Sequence, residues 1–229
     1  GRRMIRTRNT VLATAAIAAL ITGGTALAGP RDAHAQDQAF SISQNVTADA
    51  VTVCNTNPVI ATYHGTVNLT IPVVTLLANF QDEMQAAAAA GQSPHAAGAQ
   101  NPDITFTVSV PEGTQVGPGT VTNSSSLISN WWLSPNSEKT EMKVNLHLTQ
   151  TDWQGLYTTY TSEKSNPLGH TITIKIPYAV GANNAADAAR IAQEQVTSTA
   201  TVKFYTGGDT PSKVFTSAVA SNPIASTPT

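Results

Sequence analysis

Apolar and polar residues alternate in five stretches of the chain, Phe40-Ser41-Ile42, TVNLTIP (66–72), ITFTVSV (104–110), KVNLHL (143–148) and TITIKIP (171–177), with a shorter sixth, TVKFY (201–205). Successive side chains of a strand point to opposite faces, so this period puts one face on a core and the other in water. The Val, Ile and Thr that fill these stretches fit a pleated, half-buried surface. The chain is expected to be mainly β.

Two alanine-rich segments break the rhythm, NFQDEMQAAAAAG (79–91) and NNAADAARIAQEQV (183–196). Each begins at Asn and places Asp82 or Asp187 in its first turn, where the helix dipole favours a carboxylate. Each reads as a short helix. At an offset of 105 residues, HGTVNLTIPVVTLLANFQDEMQAAAAA runs against GHTITIKIPYAVGANNAADAARIAQEQ. Thr66, Ile71, Pro72, Asn79, Asp82 and Ala87 then match Thr171, Ile176, Pro177, Asn184, Asp187 and Ala192. Downstream, FTVSVPEG (106–113) parallels ATVKFYTG (200–207), and LISN (127–130) parallels VASN (219–222). The agreement of strand, proline and helix start predicts two tandem β-sandwich-like modules, each with one short inserted helix. Their bounds are 36–130 and 142–222, with a linker at 131–141 and a Pro/Thr tail or further linker at 223–229. This repeat layout resembles bacterial surface adhesin stalks, and the resemblance implies an adhesive or spacing role.

The first 35 residues read as a secretory signal peptide: Arg2, Arg3, Arg6 and Arg8 precede an apolar run from Val11 to Ile21, and small-residue cleavage patterns follow at Ala26-Leu27-Ala28 and Ala33-His34-Ala35. The run is shorter than the roughly 20 residues of a spanning helix, so no permanent transmembrane helix is expected after cleavage at Ala35. Of 12 Lys and Arg and 14 Asp and Glu, the leader removes five bases and one acid, which leaves seven against thirteen and a net charge of −6. All seven remaining cations follow Trp132. A half-chain without a cation cannot neutralise phosphates, so nucleic acid is not an expected partner. Cys54 is the single cysteine, which excludes an intrachain disulfide, and the VTVC run around it predicts a buried thiol.

Metal ligation and catalysis find no local pattern. His64, His95, His147 and His170 lie at no spacing typical of zinc ligands, and His147 is expected on the solvent side of its strand, opposite Leu146 and Leu148. Serines occur without a nucleophile elbow, and the carboxylates near Asp82 and Glu138 read as helix-cap and surface charge. No cofactor and no enzymatic activity are expected. The candidates for binding are aromatic. Trp131 and Trp132 are adjacent within NSSSLISNWWLSPN (123–136), and a one-sided sheet can bury only one of two neighbours. Trp153, Tyr157 and Tyr160 lie in TDWQGLYTTYTSEK (151–164), where flat rings among Thr and Gln suit stacking on sugars, although core packing explains them equally.

These features predict an exported cell-surface or extracellular protein of the bacterial envelope that acts as an adhesion or structural binding module, with a glycan or another surface protein as partner. The alternatives are a carbohydrate-binding protein using Trp131, Trp132, Trp153, Tyr157 and Tyr160, and an oligomeric envelope pore lined by amphipathic strands.

Overall fold

The computed structural model describes residues 40–54, 60–94, 101–149, 151–182 and 185–224. The expected leader at 1–35, residues 225–229 of the tail and the side chain of Cys54 lie outside the described residues.

Eleven described strands form two antiparallel sheets, of five and six strands, with few helices, as the alternation predicts. In the first sheet, β1 (Ser43–Cys54), β2 (Ile60–Pro72) and β8 (Thr171–Ala182) lie side by side, and the short β4 (Thr114–Val116) and β5 (Thr120–Asn123) both pair with the far edge of β8. The second sheet runs β10 (Lys213–Thr216), β9 (Gln195–Phe204), β3 (Ile104–Ser109), β7 (Glu141–Leu148) and β6 (Ile128–Pro135), with β11 (Ala220–Pro223) also on β9. The inward residues of both sheets, among them Val67, Leu69, Ile71, Ile104, Phe106, Val108, Ile174 and Val202, merge into one apolar core.

Helices carry the chain between sheets. After β2, helix α1 (Val73–Leu77), a 3₁₀ turn and helix α2 (Gln81–Ala89) lead to β3. The first helical segment starts six residues before the expected Asn79, which occupies the 3₁₀ turn and caps nothing. Helix α3 (Trp153–Lys164), between β7 and β8, occupies the TDWQGLYTTYTSEK segment, with the Asp152 side chain accepting from Gly155 N at 2.7 Å as its N-cap. After β8, helix α4 (Ala185–Ala192) leads to β9.

Segments matched at the offset of 105 lie side by side in the fold. β2 pairs along twelve residues with its equivalent β8, and Leu69 lies directly opposite Ile174, its own counterpart at the offset of 105. In the other sheet β3 pairs with its equivalent β9, and Phe106 lies opposite its counterpart Ala200. Two antiparallel pairs, each centred on equivalent residues, are what a two-fold axis through both sheets requires. The cause is edge satisfaction: a strand of 13 residues needs a partner of similar length for its N–H and C=O groups, and the equivalent strand of 12 supplies one. Segment 131–141, expected as a linker, is the second half of β6 and the turn into β7.

Pro177 shows how one residue shapes an edge. Its carbonyl accepts from Gly117 N at 2.8 Å, so its backbone faces β4 and β5, where its missing N–H leaves a gap in the ladder. The chain crosses that gap as Gly117-Pro118-Gly119. A Cβ on Gly119 would lie 2.6 Å from Lys175 O.

A similar close approach sits at Gly65, where an added Cβ would overlap Thr47 O and the Tyr178 ring. Gly65→Ala is expected to cost about 1–3 kcal/mol in urea unfolding, because backbone and a packed ring must both shift. Gly181→Ala, with nothing within 4 Å of the new methyl, is expected to stay within about 0.5 kcal/mol of the parent.

Candidate binding surface

The two long sides of the sandwich are closed differently. On the side of β1 and β11, Gln44 bridges the sheets: its Nε2 donates to Val196 O at 3.1 Å and Asn222 Oδ1 at 2.8 Å, and its Oε1 accepts from Ser198 Oγ. On the other side, β4 and β5 face β6 across a gap. One turn spans it. Asn136 braces that turn by accepting from Thr140 N at 2.9 Å and Glu141 N at 3.0 Å, and Lys139 takes a positive φ of 56°. The turn is stapled to the first sheet by Val116 N of β4 donating to Lys139 O at 2.8 Å, while Val110 N, just past β3, donates to Thr140 O at 2.8 Å and extends the β3–β7 ladder.

The staple divides the gap into two cavities. The first, of about 230 Å³, is an apolar slot walled by Val116, Pro118, Leu133, Pro135 and Met142, with Lys139 at its margin. The second is a wider notch of about 680 Å³ bordered by Glu112, Thr114, Gln115, Glu138, Thr140 and Gly181. Thr114 is 1% exposed, and its hydroxyl is buried without a hydrogen-bond partner.

β6 forms the rim of the slot. It is an edge strand, ISNWWLSP, with no charged residue. Trp131, Leu133 and Pro135 lie opposite Leu146, Val144 and Met142 and share the face turned toward the sandwich interior. Trp131 is left 38% exposed. Trp132 takes the other face, half-buried, with its ring centroid 4.8 Å from that of His147. His147 is buried at 7% exposure, contrary to the solvent position its alternation predicts. Its Nδ1 lies 3.2 Å from Oδ2 of buried Asp103, which also accepts from Leu148 N at 2.9 Å. Trp132 and Asp103, both distant from His147 in sequence, supply the cover.

The aromatics of helix α3 face inward. Trp153 is 2% exposed, donates from Nε1 to Tyr205 O at 2.7 Å, and packs against Phe204. Tyr160 is 1% exposed, with its hydroxyl donating to Gln81 Oε1 at 3.2 Å, and Tyr157 is half-buried beside it. Trp153 and Tyr160 thus offer no face to a sugar. Burial of Trp153, Leu156, Tyr160 and Glu163 at helical spacing turned these rings to the core. Of the five aromatic candidates, the structure leaves Trp131 exposed, Trp132 and Tyr157 partly covered, and Trp153 and Tyr160 buried.

A buried carboxylate marks the other end of α3. Glu163 accepts from Ser125 Oγ at 2.6 Å, Ser126 N at 2.9 Å and Ser126 Oγ at 3.0 Å, and His170 Nδ1 stands 3.6 Å away. Sequence reading missed this cluster, although SSS (124–126) signals a loop in need of partners. Both serine hydroxyls are directed to the carboxylate, so the cluster ties α3 to the loop before β6. Among the described residues, no group of three or more His, Cys, Asp or Glu could hold a metal ion, and no helix is long and apolar enough to cross a membrane.

No protein-family model and no curated protein matches the chain. Among solved structures it is similar to the N-terminal domain of a Streptococcus gordonii adhesin, at 12% identity and a TM-score of 0.33, covering 71% of this chain and 28% of that one. It is also similar to a collagen-binding domain from a Staphylococcus aureus adhesin, at 13% identity and a TM-score of 0.28, covering 78% and 97%. A third similar structure concerns pH-induced modulation of Streptococcus parasanguinis adhesion by fimbriae, at 8% identity and a TM-score of 0.29, covering 80% and 92%. These neighbours are β-rich adhesin domains, and the chain spans 28% of the length of the first.

Iodide quenching separates the tryptophans. Trp131→Phe is expected to remove most of the quenchable emission, and Trp153→Phe a blue-shifted component that iodide does not reach. Burial raises the Tyr160 phenol above its usual value, with Tyr157 adding to the effect, and burial raises Tyr205 with Asp103 and Asp209 adding. As pH climbs, the unfolded chain therefore loses these protons first. Stability is expected to hold below about pH 10 and to fall as pH rises toward the folded-state values. Thermal unfolding followed through that range should decline less steeply for Tyr160→Phe.

Proposed function

We propose that the protein is an exported cell-surface module that adheres to a partner along the open side of its sandwich, without catalysing a reaction on it. The observation that carries this reading is the exposed Trp131 on a charge-free edge strand beside an apolar slot. Edge strands of self-contained domains are usually guarded by charge, bulge or cover. Here β1 has a bulge at Ala48/Ala50 and the Gln44 bridge, and β10 carries Lys213 paired with Glu83 at 2.5 Å. β6 has a register shift at Ile128/Asn130, but beyond it the edge carries no charge and presents an aromatic, and Trp is among the residues most often found to anchor interfaces.

The buried positions of Trp153 and Tyr160 weigh against a sugar platform built from the five aromatics, and the apolar slot suits a partner with side chains to insert. The test is binding of the mature chain to immobilised surface proteins and glycans, beside its Trp131→Ala variant. At least about tenfold weaker binding to a protein ligand, with unchanged thermal stability, is the expected outcome. Binding indifferent to Trp131→Ala would remove the open side from the mechanism, and binding confined to glycans would favour the carbohydrate reading.

A further inference from the structure

We infer that the occupant of the open side is an extended polypeptide carrying a basic side chain two residues from an apolar one, and that the notch rimmed by Glu112 and Glu138 receives the basic group. The inference rests on the open side being the binding face and specifies what lies there.

Three observations converge on it. First, β6 pairs with β7 on one edge alone, and its other edge offers main-chain groups to an added strand, which antiparallel or parallel ladders satisfy without regard to sequence. The slot beside it then takes an apolar side chain. Second, the notch beyond the staple is acidic. Neither Glu112 nor Glu138 forms an ion pair among the described residues. Arg190 is held by Asp187 and Glu194 at 2.7 Å each. Lys139 borders the slot, on the other side of the staple from the notch's wall. Third, the buried Thr114 hydroxyl at the notch has no partner, and a buried hydroxyl left unsatisfied costs free energy that an incoming donor recovers. An ammonium or guanidinium is donor-only and cationic, so it meets both requirements at once.

Spacing fixes the pattern of the occupant. Val116 borders the slot and Thr114 the notch, two residues apart along β4. Two residues of extended chain advance about 7 Å, so a partner running parallel to β6, and thus against the direction of β4, places side chains i and i+2 into slot and notch respectively.

The test uses the ¹⁵N-labelled mature chain titrated with the capped peptide Val-Thr-Arg-Thr-Val and with its counterpart in which norleucine replaces arginine. The expected result is saturable shifts at Trp131 to Ser134 and at Gly113, Gln115 and Glu138 with the arginine peptide, bound about tenfold more tightly than the norleucine one. Glu112→Gln and Glu138→Gln, both exposed changes, should each reduce that preference, and added salt should do the same. Equal affinity for the two peptides, with shifts along β6, would overturn the basic-group assignment and leave the open-side reading standing. Absence of β6 shifts with either peptide would overturn both.

Discussion

The pairing of β2 with β8 is the constraint on which the rest of the molecule depends. Twelve consecutive residue pairs fix a register in which Val67, Leu69 and Ile71 share the inner face with Ile176, Ile174 and Ile172. A slip of one residue would turn that whole set to solvent. Because each strand then leaves its sheet by a helix, the same pairing dictates where β3 and β9 enter the opposite sheet. They meet as a second antiparallel pair about Phe106 and Ala200. The outer strands are not matched in this way: β7 joins β3. It is in that asymmetric periphery that the two sides of the sandwich come to differ.

One side is held by an amide and the other by a turn. Gln44 satisfies groups on β9 and β11 with both ends of its side chain, so the sheets are joined there by short polar contacts. Opposite, the Asn136–Thr140 turn reaches β4 through a single main-chain bond, and the gap above and below it remains. Pro177 contributes to this difference from a distance, because its missing donor interrupts the edge formed by β4 and β5 and sets Pro118 at the slot. The candidate surface is therefore a product of topology and of one absent hydrogen bond.

Alternation carried most of the fold. β3 and β8 show the inward and outward rhythm read from ITFTVS and TITIKIP, and the repeat indicated which strands are related. It did not indicate that related strands are neighbours, since pairing across a hundred residues leaves no local trace. β7 escaped for a related reason: Asn145 and His147 are buried on what alternation makes the outer face, because Trp132, Ser134 and Asp103 cover them. Helix α3 was hidden by Thr and Tyr, which are weak helix formers. The spacing of Trp153, Leu156, Tyr160 and Glu163 did contain it, and with it the inward fate of two of the five aromatics. The adjacent tryptophans were legible as a pair that must split between faces, and the open side that exposes Trp131 was not.

The first and last described segments run side by side in the same direction. Phe40 O accepts from Ala218 N at 3.2 Å, and Gln44 touches Asn222 close to the last described residue, Ile224. A tensile load entering at residue 40 and leaving at residue 224 would thus act along the length of the two segments, in shear. Bonds loaded that way must yield together, whereas bonds opened from one end break in succession. The bonds that bear the load are those of Phe40 and Gln44, on the side opposite Trp131, so the fold separates the place where force is applied from the place proposed to grip.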